Sequence, residues 1–129
     1  MKTPVLALSV LVLGLSLLAF SGCSRGAKDG LTARNPKEAA SQLETAFANA
    51  DAEAKAQARE ASEAMRRAEY EKALVSLTAI RGRENATLEQ GMAVHGSLVS
   101  LEKSLIEAMA AGEPNAKRAY ELLKALKRN

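Results

Sequence analysis

Apolar side chains recur at three- and four-residue steps along this chain from Asn35 onward. Ala40, Leu43, Phe47, Ala50, Ala54, Ala58, Ala61, Met65 and Ala68 follow one another in this way, and Asp51, Lys55, Arg59 and Glu63 recur every four residues on the polar side. That spacing is one buried stripe and one solvated stripe of an α-helix. Asn35-Pro36-Lys37-Glu38 supplies a capping side chain, a proline at the first helical position and a glutamate three residues after the cap. With no glycine or proline from 37 to 81, the pattern predicts one helix from 36 to about 67.

A second stripe, Tyr70, Ala73, Leu74, Leu77 and Ile80, ends at Arg81-Gly82, a good helix stop. Around Ala68-Glu69 the chain could turn or run on. Thr87-Leu88-Glu89-Gln90 has the form of a capping box and opens a helix over about 87–111, with Leu88, Met92, Leu98, Leu101, Leu105, Ile106 and Met109 on its apolar side. Gly112 and Pro114 break it. Ala116, Ala119, Tyr120, Leu123 and Leu126 form a last amphipathic helix over about 115–127. No segment alternates as a strand does, so the class is all-α.

An internal echo bears on the undecided turn. Glu63-Ala64-Met65 aligns with Glu107-Ala108-Met109, and the offset carries Ala68-Glu69 onto Gly112-Glu113, an evident turn. The expectation is therefore two αα-hairpins, four helices at about 36–67, 70–81, 87–111 and 115–127, forming one helical domain over 35–129. The stretch from Ala68 through Tyr70, Ala73 and Leu77 resembles the middle of a tetratricopeptide unit, where a small residue and an aromatic join two antiparallel helices. Chance likeness among Ala-, Glu- and Leu-rich helices is the other reading.

The first 34 residues differ in kind. Lys2 precedes sixteen uncharged residues, Val5 to Phe20, too short for a spanning helix and matched to the apolar core of an export signal. The run ends at Phe20-Ser21-Gly22-Cys23, with the only cysteine of the chain. These residues resemble the lipobox of bacterial lipoproteins. The resemblance implies cleavage between Gly22 and Cys23 and lipid on the Cys23 thiol, with 1–22 as signal peptide. Ser24 after the cysteine favours the outer over the inner membrane by likeness to bacterial sorting. Ordinary secretion after Ala19-Phe20-Ser21, or an uncleaved anchor, are the competing readings. Residues 24–34 carry two glycines and no apolar period, as a flexible tether of roughly 15–20 Å root-mean-square reach does.

Composition narrows function mainly by exclusion. Lys2 is the one charged residue of 1–22, so 17 bases then face 15 acids, a net +2 with the signs interleaved. That argues against nucleic acid as a partner, which draws on a basic patch or stripe. His95 is the single histidine, and with Cys23 committed to lipid no metal set or thiol nucleophile can be composed. Gly91 and Gly96 lack the sequel of a phosphate loop. Met65, Met92 and Met109 read as core residues. Asn85-Ala86-Thr87 matches a glycosylation acceptor but reads as a helix start. Neither a cofactor nor an enzyme is expected.

What remains is a lipid-anchored envelope protein acting as a helical protein-binding or scaffolding module on the periplasmic side, with an envelope protein as partner. The alternative is a self-associating helical spacer similar to murein lipoprotein, using a coiled-coil seam over 36–65 through Leu43, Phe47, Ala50 and Ala54, with Gln57 falling on that seam.

Overall fold

The computed structural model describes residues 35–129; the expected export signal, cleavage junction at Gly22–Cys23 and tether lie outside them. The described residues form an all-α domain of five helices: α1 (Pro36–Ala46), α2 (Ala52–Arg66), α3 (Tyr70–Arg81), α4 (Leu88–Ala110) and α5 (Pro114–Arg128). Three sequence-predicted starts are built as read. The Asn35 side chain accepts the Glu38 backbone N–H at 2.9 Å with Pro36 in the first turn. The Thr87 hydroxyl accepts the Gln90 N–H while the Gln90 side chain accepts the Thr87 N–H, a complete capping box. Tyr70 opens α3.

The single long helix expected over 36–67 is instead two helices. The chain leaves α1 at Phe47, turns through residues 48–50 on bonds from the Ala48 N–H to the Thr45 carbonyl and the Ala50 N–H to the Phe47 carbonyl, and re-enters helix after Asp51. The Asp51 carboxylate accepts the Ala54 N–H at 2.9 Å and so starts α2 as its N-cap. In sequence Asp51 looked like one more residue of a polar stripe, because the turn leaves the three-four rhythm intact on both sides. The reason for breaking is burial. A continuous helix would hold one long stripe of alanines in water, whereas folding α2 back on α1 buries both halves against each other. Phe47, at the bend, is 1% exposed. The Ser62 hydroxyl donates to the Ala40 carbonyl at 3.0 Å across this hairpin, and Arg66 forks onto both Glu44 oxygens at 2.8 and 2.9 Å.

The echo at 63 and 107 is borne out in the backbone. After α2 the Ala68 N–H bonds to the Met65 carbonyl and the Glu69 N–H to the Ala64 carbonyl; after α4 the Gly112 N–H bonds to Met109 and the Glu113 N–H to Ala108. Both are the same helix-stop motif, with its left-handed residue at Ala68 (φ 56°) and Gly112 (φ 83°). Here the turn that the echo suggested at Ala68-Glu69 is present. Alanine performs it at a steric cost that glycine avoids.

The helices close into a ring of neighbours: α1 on α2, α2 on α3, α3 on α5, α5 on α4, and α4 on α1, with α3 also reaching α4. Inside lie Leu43, Phe47, Leu74, Leu77, Ile80, Leu101, Leu105 and Leu123 among many alanines. Alanine at a contact lets helix axes approach closely, so the core is thin and extensive. Ion pairs mark four of these seams on the outside: Arg66–Glu44 on α1–α2, Lys72–Glu60 on α2–α3, Arg118–Glu71 on α3–α5 and Lys127–Glu102 on α4–α5. At α1–α4 the Gln90 amide donates to the Ala46 carbonyl at 3.4 Å.

Candidate functional site

Among the described residues no group of three or more His, Cys, Asp or Glu could hold a metal ion. His95 lies exposed on α4. Thr87 of the Asn85-Ala86-Thr87 triplet is engaged as the α4 cap. Cys23, expected to carry lipid, and Gly22, expected to precede the cleaved bond, lie outside the described residues. No helix among the described residues is long and apolar enough to cross a membrane.

Depressions mark the surface of the described residues. One, about 540 Å³, is an open groove beside α2 in which Lys55 and Arg59 stand among Glu44, Glu60 and Glu63; Glu44 and Glu60 are already paired with Arg66 and Lys72. A polar cleft of about 210 Å³ lies where the 47–51 turn meets the α3–α4 loop. There Arg83 grips both Asp51 oxygens at 3.0 and 2.9 Å and lies 3.7 Å from Glu53. Asp51 thus caps α2 and anchors the loop that leads into α4. Its carboxyl is held below the ordinary range first by the Ala54 N–H, then by the Arg83 charge. The cleft is a clasp, and every charge in it is spent on the fold.

The third feature is on α4, and it departs from the sequence reading. Leu88, Met92 and Ile106 were assigned to the buried side. Instead Val94, Ser97, Leu101, Leu105 and Ala108 are buried, while Leu88 is 81% exposed, Val99 52% and Ile106 50%. Met92 and Met109 are half-buried; Met109 packs against the core and Met65 alone of the three methionines lies within it. The helix carries two apolar stripes, and periodicity merged them because its neighbours cover only one.

Leu88, Met92, His95, Val99, Glu102, Ile106 and Met109 follow one another at steps of four and three, the seam spacing of a coiled coil. Glu102, the one acid on that line, is tied to Lys127 at 2.6 Å. The exposed charges of α4 are Glu89, Lys103 and Glu107, all on one edge of this line at 100° per residue. By contrast α2 shows Glu53, Lys55, Arg59, Glu60 and Glu63 to solvent, and α5 shows Lys117, Arg118, Glu121 and Lys124. Beside the stripe a recess of about 100 Å³ opens between α3 and α4, floored by Phe47, Ile80 and Val94 and edged by Gly91, His95 and Leu98. A β-carbon on Gly91 would meet nothing within 4 Å, so the domain's own packing gives no reason for glycine there.

The outward apolar stripe thus runs beside a recess whose lining mixes apolar side chains with Arg81, Gln90 and His95. The signal for it was in the sequence as a second set of apolar positions on α4. Which set faces the core depends on where α1, α3 and α5 lie. No protein-family model, curated protein or solved structure matches this chain.

Proposed function

We propose that this protein is a docking module of the bacterial cell envelope, anchored by lipid on Cys23 and presenting the outer face of α4 to a protein on the periplasmic side. The observation that carries the docking role is the exposed stripe Leu88–Val99–Ile106 on α4, which aligns three of the large apolar side chains left in water, Val75 on α3 standing apart from it. Water-facing side chains of this size, aligned along a helix and bordered by a recess, cost solubility and repay it only when covered. The anchoring rests on the apolar run before Cys23 and its lipobox-like end. A tether of roughly 15–20 Å holds the domain near the bilayer without fixing its orientation, which suits capture of a partner in the same compartment.

Two measurements test this. Feeding cells an alkyne-bearing fatty acid is expected to label the wild-type protein and not Cys23→Ala; equal labelling would remove the anchor. A photo-crosslinking residue at Val99 or Ile106 is expected to give a discrete protein adduct, with none from Ala56 on α2. Adducts that are absent, or equal at all three positions, would remove the docking role.

A further inference from the structure

Resting on the docking role just proposed, we infer that the occupant of the α4 face is a second copy of this chain, packed antiparallel about a two-fold axis level with Ser97. The argument is self-complementarity. A two-fold interface requires that whatever residue i meets on its partner, the same pairing recurs with the roles exchanged. Turned antiparallel about Ser97, Leu88 faces Ile106 of the partner subunit, apolar to apolar at both ends of the pair, and the exposed His95 faces Val99 of the partner subunit near the axis. Met92 faces Glu102 of the partner subunit, whose charge Lys127 already holds to its own domain. These are the a-to-d layers of an antiparallel helix pair.

Charge agrees with the same register. On the edge of the stripe Glu89 and Lys103 lie two heptads apart, both exposed and, among the described residues, neither in an ion pair. In the antiparallel pair Glu89 comes beside Lys103 of the partner subunit, and the symmetry repeats the contact. In a parallel pair Glu89 and Lys103 of the two copies would lie two heptads apart along the seam and could not meet. Gly91 fits as well, since its missing side chain lets a second backbone approach where the monomer leaves open space.

The size of the face sets how the dimer behaves. From Leu88 to Ile106 the stripe runs about 27 Å at 1.5 Å per residue, one helix face, which falls below the roughly 1,200 Å² of a standard stable interface. The association is therefore weak in free solution. Confinement of both copies to one membrane surface by their lipids raises their effective concentration, so anchoring and dimerisation work together.

The test is made on the full-length chain in living cells, with two epitope tags co-expressed and a photo-crosslinking residue at Val99. The expected product is an adduct carrying both tags. Glu89→Lys alone and Lys103→Glu alone each reduce it by roughly tenfold through like-charge contact, at unchanged protein abundance, and the two together restore it. Cys23→Ala lowers the yield by releasing the copies from the membrane. An adduct holding one tag and a different protein overturns this inference and leaves the docking role standing. No adduct with any protein overturns both. A two-tag adduct indifferent to charge reversal overturns the antiparallel register.

Discussion

At Ala68 and Gly112 the same backbone conformation is met by two residues with different steric costs. Ala68→Gly removes the clash of a β-carbon at positive φ and is expected to raise unfolding free energy by roughly 1 kcal/mol. A denaturant melt with unchanged slope checks it, and an unaltered midpoint would mean the turn relaxes around alanine without strain. Gly91 is the converse case. It stands inside a helix in open space, so Gly91→Ala is expected to stabilise the lone domain by about 0.5–1 kcal/mol while weakening association through α4. Ser100 is 4% exposed with no hydrogen-bond partner for its hydroxyl among the described residues. Replacing it with alanine is expected to cost nothing or to stabilise. These three positions share a lesson about legibility: the residue type is plain in sequence, but its cost depends on a φ angle or a neighbour that no local pattern encodes.

Among the elements, the starts were readable and one interior break was not. Asn35, Pro36 and the Thr87–Gln90 box act through groups within four residues of each other, so their chemistry is local. Thr87→Ala is accordingly expected to cost about 1 kcal/mol, seen as a lower melting temperature and earlier fraying of α4. The break at 47–51 is decided over longer distance. Asp51 is both the α2 cap and the acceptor for Arg83 from the far loop. A double-mutant cycle between Asp51→Ala and Arg83→Ala is expected to be non-additive, each substitution lowering stability and the pair costing less than their sum. Strict additivity would show that the cap alone holds this corner. Phe47 is the bend's core residue, and Phe47→Ala is expected to cost about 3–5 kcal/mol, enough to unfold a domain whose core is otherwise mostly alanine.

For the whole molecule, acid is the informative variable. The Glu44 carboxyl is held below its ordinary 4.5 chiefly by the hydrogen bonds from Arg66, with burial opposing and the Arg66 and Arg59 charges assisting. Asp51 is likewise lowered, by the Ala54 N–H before the Arg83 charge. Because both are lower in the folded state, their contribution is complete above the unfolded carboxylate values and is lost as pH falls through the folded ones. Stability is thus expected to hold from neutral pH down to about 5 and to decline below about 4. Glu44→Gln is expected to flatten part of that acid limb, and an unchanged limb would assign the loss to other carboxylates. As Glu44 and Arg66 are both partly solvated, the effect is modest.

Helical class, the capped starts and the stop at Gly112 were determined by sequence alone, because each rests on groups close together in the chain. The turn at Ala68 became legible through its likeness to Gly112. Two things were decided only by tertiary structure. One is that the first amphipathic stretch folds back on itself at Phe47, since burying both halves outweighs continuing the helix. The other is which of the two apolar stripes on α4 is core and which is surface. A helix with apolar residues on two faces has no intrinsic inside; the placement of α1, α3 and α5 against it supplies one, and leaves Leu88, Val99 and Ile106 in water.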